Sequence, residues 1–85
     1  MVQAIKFYAD WCGPCKVYNK VWTKVESELN EKVEFKSINI EKDTSGLAAE
    51  YKVRSIPFTV IINEEGIATT KTGLIKEEEL KALLK

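Results

Sequence analysis

The sequence predicts an α/β fold in which four strands form one mixed sheet and three helices cover its two faces, in the order β-α-β-α-β-β-α. Three observations predict it. A β-branched and aromatic stretch leads into an amphipathic helical repeat and then a second strand pattern, the outline of a parallel crossover unit. A nearly continuous apolar run is followed by turn residues and a return strand, as in an antiparallel hairpin. The tail has helical spacing, with glutamates first and lysines last.

Taken in order, residues 2–8, VQAIKFY, form the first strand, and Ala9 to Trp11 leave it. From Cys15 onward Val17, Tyr18, Val21, Trp22, Val25 and Leu29 recur at three- and four-residue steps, which predicts a helix to about Asn30. Pro14 falls in its first turn, where a missing N–H does no harm. Residues 33–40, VEFKSINI, form a second strand, with a change of phase between Val33 and Phe35 on one side and Ile38 and Ile40 on the other. Asp43 or Thr44 can cap a short helix through Leu47, Ala48 and Tyr51, with Gly46 inside it and an end near Val53. FTVII, residues 58–62, suits a strand buried on both faces. Asn63 to Gly66 turn the chain into IATTKT, and Gly73 ends that strand. In LIKEEELKALLK the residues Leu80, Leu83 and Leu84 share one stripe of a closing helix.

Composition narrows the function classes. The 85 residues are 45% hydrophobic and 31% charged, with 13 acidic and 13 basic side chains, as in an ordinary globular domain. Lysines alternate with glutamates, so there is no one-signed field of the kind that nucleic acid or an anionic membrane requires. No apolar run approaches the ~20 residues of a membrane span, and the first residues do not resemble a secretory leader. One monomeric domain over residues 1–85, in the cytoplasm, is the expectation.

The chemistry is concentrated in DWCGPCK, residues 10–16, which holds both cysteines. A Cys-x-x-Cys between a strand and a helix places the first sulfur at the helix N-terminus, where unpaired N–H groups and the macrodipole favour a thiolate. Cys12 is then the nucleophile. Cys15, one turn inside and more buried, can resolve the mixed disulfide that Cys12 forms with a substrate. Gly13 and Pro14 are expected to hold the two sulfurs close in both redox states. Two other readings of the pair stand beside this one. A zinc site normally needs four ligands, and the chain has no histidine and no second cysteine pair, so a metal would require carboxylates or a second chain. A purely structural disulfide gains little from closing so short a loop. The redox reading calls for no cofactor beyond the Cys12–Cys15 disulfide itself.

With those residues in place, the chain resembles the thioredoxin family. FYADWCGPCK carries the family's Trp-Cys-Gly-Pro-Cys-Lys motif unaltered, VRSIPFTVII resembles its Ile-Pro segment, and IATTKTGLIKEEEL its return strand, glycine and last helix. The resemblance covers essentially the whole chain. It implies a thioredoxin-like fold and a dithiol-disulfide oxidoreductase that reduces protein disulfides, recharged by a thioredoxin reductase or another thiol donor. It further implies a cis peptide before Pro57, an Ile56 backbone free to pair with an extended substrate, and a docking groove of Trp11, Ile56 and Gly73. Without the resemblance an X-Pro bond is about 20 times more often trans, and Trp11 is as readily a core residue. The alternatives are a glutathione-dependent, glutaredoxin-like enzyme, for which the short length speaks, and a non-catalytic interaction module of the same fold. The intact CGPC motif and the absence of a Gly-Gly-x-Asp type segment in TGLIKEEEL weigh against these.

Three positions depart from the family pattern. Only ten residues precede Trp11, so the usual preceding strand and helix are expected to be lacking. Lys20 stands where the active-site helix usually has a kinking proline, which predicts a straighter helix. Lys6 stands six residues before the first cysteine, where the family has a buried aspartate that moves protons to and from the second cysteine. Lys6 either tunes Cys15 electrostatically or keeps its ammonium in solvent and leaves proton transfer to water. The second is the readier expectation, because lysine stems lie along apolar surfaces with exposed heads.

Overall fold

Residues 1–84 are described by the computed structural model. The elements are β1 (Val2–Tyr8), α1 (Gly13–Leu29), β2 (Val33–Asn39), α2 (Leu47–Glu50), β3 (Phe58–Ile62), β4 (Ala68–Thr72) and α3 (Glu77–Leu83). The strands form one sheet in the order β2-β1-β3-β4, parallel between β1 and β2 and antiparallel elsewhere. Lys85, at the end of the predicted closing helix, lies outside the described residues.

The central strand β1 is buried from Ala4 to Phe7, and its alternation divides two cores. Ala4 joins Val33 and Ile61 of the neighbouring strands against Tyr18, Trp22 and Val25 of α1 and Leu80 of α3. Ile5 and Phe7 face the other way, with Phe58 and Val60, beneath Leu47 and Ala48 of α2. The phase change in VEFKSINI follows from this arrangement. Phe35 is level with Ala4 and packs on the α1 side, whereas Ile38 is level with Phe7 and packs with Ile40 on the α2 side. A strand covered on both faces has no single apolar period.

Local signals set the boundaries. Helix α1 runs without a break through Lys20 over all of its 17 residues, and Val17, within its predicted apolar set, is 55% exposed. Gly46 is the left-handed cap in front of α2, not a residue within it, at φ 80°. Asp43 does serve the cap: its carboxylate accepts from the backbone N–H groups of Ser45 and Ala48 at 2.8 and 3.1 Å. The Ser45 hydroxyl, which also donates to Asp43 Oδ1, and then these backbone hydrogen bonds hold its carboxyl below the usual carboxylate range. The hairpin turn is held by the Asn63 side-chain oxygen, which accepts from the N–H groups of Glu65 and Ile67, both at 2.9 Å. Helix α3 is laced to α1 by Lys81, at 2.8 Å from Glu28 and 3.0 Å from Glu77, and by Lys24 to Glu77 at 3.1 Å. Among the described residues no helix is long and apolar enough to cross a membrane.

Candidate active site

The chain leaves β1 at Tyr8, turns through Ala9 to Trp11 and enters α1 at Gly13. A backbone hydrogen bond from Cys12 N–H to Ala9 O, 3.2 Å, closes that turn. Cys12 is the N-cap of α1 in extended conformation, and its sulfur accepts from Cys15 N–H at 3.1 Å. It therefore takes the place of the side-chain oxygen that usually satisfies the first turn of a helix. Gly13 and Pro14 are exposed in that turn. The two cysteines are joined in a disulfide, with Cα atoms 5.2 Å apart.

The sequence predicts Cys15 to be the more buried of the two, but exposure separates the sulfurs only slightly, with Cys12 4% and Cys15 1% accessible. What distinguishes them is position. Cys12 lies at the positive end of α1 and also approaches the Ile56 carbonyl oxygen, at 3.8 Å. Ala9 packs with both cysteines, and Tyr8, Ile40 and Ile56 close around them.

The Ile56–Pro57 peptide is cis, and Pro57 is buried at the entrance to β3. Pro57 O accepts from Gly73 N–H at 2.8 Å, which draws the end of β4 to the same rim. Gly73 holds φ 87°, a backbone conformation that favours glycine, with open space where a Cβ would stand. Trp11 is 66% exposed, which removes the core-packing reading for it, and Leu74 beside Gly73 is 48% exposed. Ile56, Pro57, Gly73 and the cysteines thus meet at one end of the sheet, with the Trp11 indole open to solvent beside them. Leu74 was not anticipated, although it directly follows the glycine that was.

Lys6 corrects the sequence expectation: its ammonium is not in solvent. Lys6 is 4% exposed, on the α1 side of β1, because it follows Ala4 at the two-residue spacing of a strand. Its Nζ donates to Asn19 Oδ1 and lies 5.2 Å from the centre of the Tyr8 ring and 5.5 Å from that of Trp22. Burial lowers its pKa to about 8, with Glu26 acting weakly in the other direction. Tyr18, a turn of α1 away, donates to or accepts from Thr59 Oγ1 at 2.7 Å. Burial pushes its hydroxyl up to about 12. Neither Asn19 nor the Tyr18–Thr59 pair was anticipated, though both α1 residues lie within four positions of Cys15.

A four-stranded mixed sheet flanked by three helices, with a Cys-x-x-Cys disulfide capping a helix opposite a cis-proline, defines a thiol-disulfide oxidoreductase. Comparison with known proteins gives the same class and narrows it. The thioredoxin family model matches residues 2–85. A thioredoxin of Mycoplasmoides gallisepticum is 33% identical over 95% of this chain and 79% of its own length. A thioredoxin of Buchnera aphidicola is 34% identical over 94% of this chain and 73% of its own. Among solved structures, thioredoxin-2 of a malaria parasite superposes with a TM-score of 0.88 over 99% of this chain and 81% of that one, at 21% identity, a likeness of fold. The chain belongs to the thioredoxin family.

Proposed function

We infer that the protein reduces disulfides in protein substrates, with Cys12 as nucleophile and Cys15 as resolving thiol. The observation that carries this assignment is the cap of α1: the Cys12 sulfur accepts the Cys15 N–H at the positive end of a 17-residue helix. A negative charge on that sulfur is stabilised, and one on Cys15 inside the helix is not favoured in the same way. The Cys12 thiolate attacks a substrate sulfur, forming the mixed disulfide and releasing the other substrate sulfur as a thiolate, which takes a proton from water. Cys15, as thiolate, then attacks the Cys12 sulfur. The Cys12–Cys15 bond forms, the bond to substrate breaks, and two electrons have passed to the substrate.

Trp11, Ile56, Pro57 and Gly73 form the docking rim in this reading, supported by the exposed indole and by the Ile56 carbonyl beside Cys12. An extended substrate strand pairs with the Ile56 backbone, and Gly13 and Pro14 keep the loop fixed through the cycle. A reductase or another thiol donor, such as a thioredoxin reductase, restores the dithiol. A reductant of protein disulfides works where thiols are kept reduced, which supports a cytoplasmic location, and in this reading it acts as a monomer.

An insulin-type turbidity assay with dithiothreitol tests the assignment. Wild type should accelerate precipitation, and Cys12→Ser and Cys15→Ser should both lose that acceleration. Cys15→Ser alone should accumulate a mixed disulfide with insulin. Full activity in both variants would overturn the mechanism.

A further inference from the structure

Lys6 brings a cation into the interface between the sheet and the active-site helix, and nothing in the disulfide form neutralises it. Among the described residues no carboxylate lies within ion-pair distance of its Nζ, and its hydrogen-bond acceptor is Asn19 Oδ1. The Trp22 ring that the ammonium lies over is itself buried, at 5.5 Å from Nζ to its centre. Asn19 follows Cys15 by four residues, so the two lie one above the other on the face of α1, about one 5.4 Å turn apart.

We propose that Lys6 is a positioning residue for the resolving step: held by Asn19 one helical turn from Cys15, its ammonium stabilises the Cys15 thiolate that attacks the mixed disulfide. This rests on the assignment of Cys15 as the resolving thiol. In the mixed disulfide Cys15 is a thiol at a position that is 1% exposed in the disulfide form, and apolar burial alone keeps such a thiol protonated. An opposite charge nearby reverses that preference. The proton of Cys15 goes to water, Cys12 is regenerated in the disulfide, and the substrate sulfur leaves with the electron pair, so Lys6 itself exchanges nothing. The disulfide is neutral and leaves the ammonium without an anion. Its lowered pKa, about 8, agrees with that state. Lys6 therefore holds its charge more firmly when Cys15 is a thiolate than when the disulfide is closed.

The other groups facing Lys6 do not supply the anion. Tyr8 and Trp22 present ring faces. Tyr18 is held neutral to about 12, its hydroxyl engaged with Thr59, the residue level with Lys6 on β3. On β2 the level residue is Ser37, which is exposed. Glu26 acts only through space and as the lesser influence.

The test uses a Cys12→Ser background, which leaves Cys15 as the single thiol beside an uncharged residue, as in the mixed disulfide. Ultraviolet thiolate absorbance is followed against pH with Lys6, Lys6→Met, Lys6→Gln and Asn19→Ala. Removing the cation should raise the Cys15 pKa by at least about 1, a tenfold loss of thiolate at fixed pH below it. Asn19→Ala, at a half-buried site, should move it the same way by less and keeps the test available if a Lys6 variant does not fold. In proteins with both cysteines, Lys6→Met should slow release of substrate from the mixed disulfide about tenfold at neutral pH while leaving its formation unchanged. An unchanged Cys15 pKa in the folded variants would overturn the proposal. Failure of Cys15→Ser to trap a mixed disulfide would instead overturn the assignment of Cys15, so the two failures are separable.

Discussion

The hydrogen bond between Tyr18 and Thr59 joins the two halves of the site, since Tyr18 follows Cys15 by three residues and Thr59 follows Pro57 by two. Both side chains are fully buried, 0% exposed, and their oxygens are 2.7 Å apart. Thr59→Val keeps the shape of the side chain and leaves a phenol hydroxyl in the core without its partner, which costs about 1–3 kcal/mol. At a central value of about 2 kcal/mol, the melting temperature of a domain this size falls by roughly 8–16 °C. Tyr18→Phe leaves the Thr59 hydroxyl unpaired and should cost about 1 kcal/mol. In the double variant both polar groups are gone, and the apolar pair should return to within about 1 kcal/mol of wild type. Urea unfolding of the disulfide form, with equal slopes for all four proteins, gives the cycle. If the loss in the double variant equals the sum of the single losses to within about 0.5 kcal/mol, the two hydroxyls are not coupled, and the strut between α1 and β3 has been misread.

Two further predictions follow from positions at the same end of the fold. Gly73→Ala meets open space but must hold φ 87°, so it should cost about 1–2 kcal/mol in urea unfolding, and Gly73→Asn less than that. Stability should also depend on pH in two opposed ways. Lys6 titrates near 10.5 when unfolded and about 8 when folded, so between those values the unfolded chain carries the extra proton and stability rises with pH. Tyr18 ionises near 10.0 unfolded and about 12 folded, so above pH 10 the unfolded chain loses its proton first and stability falls. The urea midpoint should climb from pH 8 to 10 and decline above that, and Lys6→Met should abolish the climb while keeping the decline.

The elements that could be read from the sequence were those with one dominant local signal. The β-branched run of β1, the Asn63 turn and the apolar FTVII needed no knowledge of neighbours, and WCGPCK marked the chemistry with the helix start attached. What escaped depended on packing across elements. The phase change in β2 became intelligible only when Phe35 and Ile38 were seen to face different helices. Gly46 looked like a defect within a helix because its positive φ cannot be read from its identity. For Lys6 the sequence favours solvent over a role near Cys15, because lysine stems usually carry their heads out to water. The strand alternation that puts Ala4 under α1 puts Lys6 there too, and Asn19 was needed to see what receives its ammonium. Pairs such as Tyr18 and Thr59, 41 residues apart, leave no local trace in the sequence.

The cap of α1 has a thermodynamic consequence beyond catalysis. The atom that closes the first turn is the atom that changes redox state, so helix formation and reduction are linked equilibria. A thiolate accepts the Cys15 N–H more strongly than a neutral sulfur does, and unfolding the first turn removes that preference. The free-energy cycle then requires that the difference in unfolding stability between disulfide and dithiol forms equal the difference between the reduction free energies of the unfolded and folded chains. Any substitution along α1 that favours its first turn only when Cys12 is ionised will make the protein a weaker reductant. One that favours the turn equally in both states will leave its potential where it was.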